Sequence, residues 1–353
     1  MTEKLNFATT GIGSMPFSEP QAAIDLIATH IPMIPHWPQL PKRSAKEHFV
    51  FQYLAPLVKI GLITVVEEKA PYIDVEAEDF PNKLTAFYEL YLRAEEGEAK
   101  ALQEFSFPKE SAEGFYAFCQ AVKNGVFPKA KYFKGHISGS LSVALNLTDQ
   151  NRRAVYYDLQ LRDVIIKTLA LHARWQAKTL SDLGKTAIIF IDDPSLYALG
   201  ASTHITITKE EVIAELQDII NAIKETGALV GVHSCANVDW PLLLNSEIDF
   251  LSFDAYSYFD NLLIYPEEIK AFLEKGRILA WGIVPTSEEI FTEDAERLKI
   301  KLDAQITALV AKGVSRDLIM SNALLTPSCG TGALTSEIAT KIYETLGKLN
   351  QML

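Results

Sequence analysis

One histidine and two of the three cysteines in this sequence have the spacing of a metal site. His233 and Cys235 are two residues apart, so in extended backbone their side chains point the same way. Cys329 is distant in sequence but follows another predicted strand. One imidazole and two thiolates form a ligand set suited to Zn²⁺. The alternative is two cysteines buried as small apolar side chains and one hydrogen-bonded histidine. The position of all three at strand ends favours the metal.

Three aspartates also follow predicted strands. Asp254 is a candidate fourth, displaceable ligand, which a catalytic zinc needs. An equally good interpretation is that Asp254 caps the next helix or pairs with a lysine. Asp192 and Asp193 are adjacent, so one should face the site while the other turns away to hold an amide or cap a helix. Solvated carboxylates are the alternative for this pair.

The segment Gly11-Ile12-Gly13-Ser14 predicts a turn that offers backbone N–H groups and a hydroxyl to a small anion such as a carboxylate. It lacks both the lysine of a P-loop and the Gly-x-Gly-x-x-Gly spacing of a dinucleotide-binding turn. Gly330-Thr331-Gly332 is a weaker candidate of the same kind, and a simple turn is its more natural interpretation.

Short β-branched runs alternate with amphipathic helical patterns along most of the chain, which is typical of a parallel sheet. The predicted strands are residues 6–12, 62–66, 132–136, 187–191, 229–233, 250–254, 278–283 and 318–322. The predicted helices are residues 20–29, 44–58, 112–123, 151–180, 209–225, 266–275, 295–312 and 336–349. Several strands are near-continuous apolar runs, which indicates burial on both faces.

Eight strands favour a closed (β/α)8 TIM barrel of the α/β class over an open, doubly wound sheet. We expect residues 1–353 to form one catalytic domain, with extra helix and loop in residues 67–131 as an insertion between strands two and three. In such barrels the active site is built from loops at the carboxyl ends of the strands. The candidate residues all fall at such ends.

The bulk properties exclude some partners. A formal net charge of −12 argues against sequence-independent binding of nucleic acid or of an anionic membrane. No stretch approaches the roughly 18 apolar residues of a membrane span, and no signal peptide is evident. Few cysteines in an odd number fit a reducing compartment, so we expect a cytoplasmic protein.

In their order along the chain, these segments resemble the C-terminal catalytic barrel of cobalamin-independent methionine synthase, within the uroporphyrinogen-decarboxylase-like superfamily. Ile12-Gly13-Ser14 with Pro16 is similar to its Ile-Gly-Ser-x-Pro, and Ile191-Asp192-Asp193-Pro194 to its Ile-Asp-Glu-Pro. His233-Ser234-Cys235 matches its zinc-binding His-x-Cys, and Pro327-Ser328-Cys329-Gly330 its Pro-Asp-Cys-Gly.

The resemblance implies a zinc enzyme that methylates homocysteine to methionine. It places His233, Cys235 and Cys329 as zinc ligands, with Asp254 where the family has a glutamate ligand. It also implies that residues Ile12, Gly13 and Ser14 hold the carboxylate of the amino acid and that Asp192 holds its ammonium group.

Two departures bear on the methyl donor. The family has a second, N-terminal barrel, for which this chain has no room, and a histidine after its seventh strand that is associated with protonating the folate. Residues 282–287 contain no histidine. A methyl-corrinoid needs no such acid, so we expect methylcobalamin, free or on a corrinoid protein, as the donor.

Four alternatives remain. They are a folate-dependent methionine synthase, a methylcobalamin:coenzyme M-type methyltransferase, a uroporphyrinogen-type decarboxylase, and a barrel that only stores or carries zinc. A decarboxylase would need arginines near the first strand to grip several carboxylates, and only Arg43 is available there.

Overall fold

A computed structural model describes residues 5–66, 70–199 and 206–353. Its strands are β1 (Ala8–Thr9), β2 (Ile63–Thr64), β3 (Tyr72–Ile73), β4 (Phe133–Ser138), β5 (Thr148–Asp149), β6 (Ala187–Asp192), β7 (Leu229–Ser234), β8 (Phe250–Phe253), β9 (Ile278–Val284) and β10 (Ala323–Pro327). Seven of them form one parallel sheet in the order β1-β10-β9-β8-β7-β6-β4. The protein is therefore an α/β protein with a parallel sheet, as the alternation predicts.

Helices follow most strands of the main sheet. They are α1 (Pro20–His30), α2 (Ala55–Ile60), α3 (Phe80–Glu95), α4 (Ala99–Gln103), α5 (Glu113–Lys123), α6 (Ser140–Asn146), α7 (Leu159–Ser181), α8 (Lys209–Lys224), α9 (Trp240–Leu244), α10 (Ala255–Leu262), α11 (Pro266–Glu274), α12 (Ala295–Ala311), α13 (Arg316–Ser321) and α14 (Ser336–Gln351). Several begin at a side-chain cap; in α7, Asp158 accepts hydrogen bonds from the backbone of Gln160 and Leu161. Such a cap contributes about 1 kcal/mol. No helix in the described ranges is long and apolar enough to cross a membrane.

Apolar side chains cover both faces of the sheet. Alternate strand residues on one face pack into a small cluster with Ile34, whose strand members include Ala8, Ile188, Phe190, Phe250, Ile278, Ala280 and Leu324. The intervening residues pack against the helices in a larger cluster, which includes Ile189, Ile191, Val230, Val232, Leu251, Leu279 and Leu325. The sheet curls around the smaller cluster, and its double burial accounts for the continuous apolar runs.

Residues 33–39 lie between the two edge strands, β4 and β1. Lys134 donates its backbone N–H to Pro35 and accepts from Trp37 (2.9 and 3.2 Å). On the other side, Gln39 exchanges backbone hydrogen bonds with Met15 and Gly13 (2.8 and 3.1 Å). This segment thus links the edges of the sheet through isolated parallel bridges.

The prediction that residues 62–66 form the second strand of the main sheet is wrong. Within that range, β2 pairs antiparallel with β3 in a separate sheet of order β2-β3-β5. The segment beside β4 contains Pro35 and Pro38, which lack a backbone donor and interrupt the alternation that identifies a strand. The more regular apolar run at residues 62–66 was therefore predicted as the strand instead.

The predicted strand at residues 318–322 is also displaced. Those residues fall mostly in α13, and the strand follows at Ala323–Pro327. A short apolar run fits a buried helix as well as a strand, and only the next five residues extend the sheet. Between β2 and β4 the chain carries α3, α4 and α5, where extra helix was expected; residues 67–69 of that stretch lie outside the described ranges.

Candidate metal centre

The side chains of His233, Cys235 and Cys329 converge at the carboxyl ends of the strands. His233 lies in β7, Cys235 directly follows it, and Cys329 lies two residues beyond β10. One ligand atom of each lies within 4.8 Å of the others. A tetrahedral zinc with bonds of about 2.0–2.3 Å needs ligand atoms roughly 3.5–3.8 Å apart. Small side-chain rotations would close this group around one ion.

The neighbouring side chains favour a thiolate at Cys235. Cys329 first, and then His233, lowers the pKa of the Cys235 thiol to about 4. The nearby Cys235 and burial raise the pKa of the Cys329 thiol. The two thiols therefore differ in acidity, and Cys235 is the one that ionises first.

A buried serine orients the histidine. The Oγ of Ser252 lies 3.0 Å from Nδ1 of His233, and the two residues are register partners on β8 and β7. Nε2 of His233 is buried and has no hydrogen-bond partner in the structure. With Nδ1–H donated to Ser252, Nε2 carries the lone pair that a metal needs. The sequence analysis missed Ser252, although its position two residues after Phe250 places it on the inner face.

Asp254 has a structural task. Its Oδ1 accepts a hydrogen bond from the backbone N–H of Ser257 at 2.8 Å, which caps α10. Burial raises the pKa of its carboxyl group. Asp254 is not part of the group within 4.8 Å. The capping interpretation thus describes this structure, and a role as zinc ligand stays a prediction.

The adjacent aspartates divide as expected. Asp193 accepts hydrogen bonds from Leu141 N (3.2 Å), Ser142 N (3.1 Å) and Ser142 Oγ (2.6 Å) at the start of α6, and from Ser195 N (3.2 Å). Asp192 ends β6 on the inner face, and its Oδ1 is buried without a hydrogen-bond partner in the structure. Burial raises the pKa of Asp192 to about 6, opposed by the nearby Lys134.

Lys134 is a buried cation that the sequence analysis missed. Its Nζ donates to the carbonyl of Ile12 at 2.5 Å and lies 4.5 Å from the centre of the Phe190 ring. Burial lowers the pKa of Lys134 to about 8, and Asp192 opposes this shift. Lys134, His136 and Ser138 alternate along β4, and this period of two is the signal that could have placed them on the inner face.

The two glycine-containing turns form one unit. Ser14 O accepts from both the backbone N–H and the hydroxyl of Thr331 (2.9 Å each), and Ser14 Oγ accepts from Gly332 N at 3.2 Å. A Cβ at Gly330 would lie 2.3 Å from Ser14 Oγ, so a larger residue here would displace the Ser14 hydroxyl. Because Gly330 directly follows Cys329, the predicted anion-binding turn adjoins the candidate metal ligands.

The loop after β9 is closed by a hydroxyl pair. Thr286 Oγ1 lies 2.8 Å from Ser328 Oγ, which also accepts from Thr286 N at 3.1 Å. Thr286 lies in the stretch 282–287, which contains no histidine, and a pair of hydroxyl groups closes this loop.

An apolar cleft of the described residues lies elsewhere. It has a volume of about 760 Å³ and is lined by residues between 41 and 71 and between 108 and 111. None of the candidate ligands lines it, so it has no place in the chemistry proposed below.

Comparisons with known proteins support the fold. No family model and no curated protein matches the chain. The B12-independent methionine synthase from Shewanella sp. W3-18-1, solved in complex with selenomethionine, matches with a TM-score of 0.52 and 15% identity, over 98% of this chain and 97% of its own. A catalytic module of the pneumococcal exo-β-D-N-acetylglucosaminidase StrH matches with a TM-score of 0.48 and 9% identity, over 98% and 85%. The first likeness shows a shared fold; the second supports no conclusion.

Proposed function

We propose that this chain is a zinc-dependent thiol methyltransferase that methylates homocysteine to methionine, with a methyl-corrinoid as donor. The observation that carries the proposal is the convergence of His233, Cys235 and Cys329 at the carboxyl ends of the strands. The likeness to a methionine synthase over nearly the whole of both chains agrees with the formation of methionine, although not with the corrinoid donor.

The fold that we propose is a (β/α)8 barrel in which residues 33–39 serve as the second strand. This segment hydrogen-bonds to β4 on one side and to residues 13–15 on the other. Ile34 also joins the small apolar cluster inside the sheet. The helices between residues 40 and 131 would then be the insertion that precedes the third strand.

The residues fit zinc on three counts. The donor set is one imidazole and two sulfurs, Nε2 of His233 is buried and unpartnered, and Ser252 fixes its tautomer. When bound, zinc would deprotonate a coordinated thiol and keep its sulfur nucleophilic at neutral pH.

The remaining polar residues would hold the amino-acid end of the acceptor. Asp192 presents a buried, unpartnered Oδ1 for an ammonium group. The Ile12–Ser14 turn, fixed by Lys134 and by the loop after Cys329, would present its N–H groups and the Ser14 hydroxyl to the carboxylate. Both lie at the strand ends that carry the ligands.

The transfer is a displacement at the methyl carbon. A bond from the acceptor sulfur to that carbon forms as the carbon–cobalt bond breaks. The electron pair of the carbon–cobalt bond would leave with the corrinoid as cob(I)alamin, and the thiol proton would already have passed to solvent when the thiol bound the metal. This transfer needs no general acid. That agrees with the loop after β9, where the hydroxyl groups of Thr286 and Ser328 pair with each other.

Methyltetrahydrofolate is the rival donor. The B12-independent activity of the Shewanella protein favours it. The absence of histidine from residues 282–287 opposes it, because general-acid help is typically worth about 10²–10⁴-fold in rate. A decarboxylase is less well supported, since Arg43 is already paired with Glu47 and Glu113 (3.4 and 2.6 Å).

The test is to incubate the zinc-loaded protein with homocysteine and either methylcobalamin or methyltetrahydrofolate, and to measure methionine. We expect methionine only with methylcobalamin. Methionine from the folate alone would replace the donor and leave the thiol chemistry standing. No methionine from either, with full zinc content, would refute the methyltransferase and favour a zinc carrier.

A further inference from the structure

The ammonium group of Lys134 lies inside the sheet without a carboxylate bonded to it. The residue is 1% exposed, and within the described ranges its Nζ donates to the carbonyl of Ile12 alone. Asp192 acts on Lys134 through its charge and not through a hydrogen bond. A buried charge is costly unless it is paired, so we expect a counter-charge from outside the fold near this group.

The bond from Lys134 holds a peptide whose other end has no partner. The carbonyl of Ile12 and the N–H of Gly13 belong to one trans peptide and point in opposite directions. Ile12 and Gly13 are buried, and neither donates its backbone N–H to another described residue. Buried N–H groups without an acceptor are rare in proteins, so the N–H of Gly13 implies an acceptor that the fold does not supply.

The turn that carries this N–H adjoins the candidate metal centre. Ser14, the next residue, bonds to Thr331 and Gly332 in the loop after Cys329. An anion that accepts from Gly13 would therefore lie in the region that we assign to the acceptor.

The charge of Lys134 is close enough to act on such an anion. Nζ lies 2.5 Å from the Ile12 oxygen. The oxygen and nitrogen of one peptide are about 2.3 Å apart and an N–H···O bond spans about 2.9 Å, so the bound oxygen is at most about 8 Å from Nζ. At an effective dielectric constant of about 20, opposite unit charges at that distance change an affinity about 10–100-fold. Burial lowers the pKa of Lys134 to about 8, so the group is still a cation at neutral pH.

We propose that Lys134 supplies the positive charge that recognises the carboxylate of the thiol substrate, acting through the Ile12–Gly13 peptide. This rests on the proposed acceptor, an amino acid that carries a thiol. Lys134 is thus a positioning residue that restricts the acceptor to thiols with an anionic group at this position. With Asp192 on the neighbouring strand, it gives the site one buried charge of each sign, which complements a zwitterion.

The test is calorimetric binding of homocysteine and of its α-carboxamide to the zinc-loaded protein. The carboxamide oxygen can accept the same N–H, so this ligand keeps the hydrogen bond and loses only the charge. In Lys134→Met we expect homocysteine to bind about 10–100-fold more weakly and the carboxamide to change by less than about threefold. Loss of support for the turn alone would weaken both ligands alike.

Lys299→Met is the matched control, because it also removes one positive charge, but from a lysine that is paired with Asp303 on α12 at 2.6 Å. It should leave both affinities unchanged. The inference would be overturned, while the acceptor stands, if homocysteine bound Lys134→Met as tightly as the wild type, if both ligands lost affinity equally, or if Lys299→Met caused the same loss. Failure of the wild type to bind either ligand would overturn the acceptor, and the inference with it.

A measurement on the wild type avoids any folding defect of the variants. The ¹³Cε resonance of Lys134 should titrate at higher pH when homocysteine is bound, because a nearby carboxylate favours the charged ammonium group. The carboxamide should not cause this change. An unchanged titration of Lys134 at saturating homocysteine would also contradict the proposed role.

Discussion

Replacing Ser252 with alanine should weaken zinc binding about 10–100-fold while the protein stays folded. The Ser252 hydroxyl is fully buried and lies 3.0 Å from Nδ1 of His233. Zinc on Nε2 obliges Nδ1 to carry the hydrogen, so in the variant the bound state holds a buried N–H without an acceptor.

The magnitude follows from comparing the two states of the variant. An unsatisfied buried donor costs about 1–3 kcal/mol. Without metal, the ring of His233 can move its proton to Nε2, where the sulfur of the neighbouring Cys235 can accept it, and so avoid most of this cost. The difference, about 1.4–2.8 kcal/mol, corresponds to a 10–100-fold weaker affinity.

The assay is competition for zinc with a chromophoric chelator, together with urea unfolding of the metal-free proteins. Ser234→Ala is the matched control, because Ser234 lies between His233 and Cys235 and its hydroxyl is also buried but has no hydrogen-bond partner in the structure. Equal zinc affinities for Ser252→Ala and the wild type would refute the assigned tautomer. A similar loss in Ser234→Ala would show that crowding, not the hydrogen bond, is responsible.

Three further predictions address the same site. Cys235→Ser or Cys329→Ser should lose zinc measured by elemental analysis, whereas Cys119→Ser, in α5, should retain about one ion per chain; full zinc in both site variants would remove the centre. Asp192→Asn should weaken homocysteine binding by about 1.5–3 kcal/mol in calorimetry with zinc content unchanged, and an unaltered affinity would show that its carboxylate points elsewhere. Burial raises the pKa of Asp193 from 3.8 to about 6, so its contribution to stability is fully present below pH 3.8 and is lost as the pH rises through 6. In urea unfolding between pH 4 and 7.5, the wild type should therefore lose about 2–3 kcal/mol relative to Asp193→Asn, and parallel pH profiles would contradict this.

Local patterns predict the regular strands and the metal group well. Continuous apolar runs identify β6 to β9, because burial on both faces leaves little else in those positions. The spacing of His233 and Cys235 predicts that their side chains point the same way, because a strand fixes both directions, and the structure brings them together with Cys329.

Features that depend on contacts between distant residues could not be predicted from the sequence. The segment 33–39 has two prolines and no strand-like alternation. Its position beside the sheet is set by its bridges to β4 and to the residues that follow β1. No local pattern marks Lys134 or Ser252, because their contacts with Ile12 and His233 form only in the curled sheet. The division of labour between Asp192 and Asp193 was expected from their adjacency, but which residue does which follows from the position of α6.

The bond between Ser14 and Thr331 joins residues 317 positions apart, and this separation has a consequence for biosynthesis. A chain emerging from the ribosome presents His233 and Cys235 long before Cys329, so the early strands can offer a metal only two of the three ligands. The turn at Ser14 is synthesised early, but its hydrogen bonds to Thr331 can form only after β10 and the loop that follows it have been made. Contacts of such long range form slowly, since a large loop must close before any of them is gained. Metal insertion and the capacity to hold an acceptor should therefore appear together, only after residues 329–332 have been synthesised.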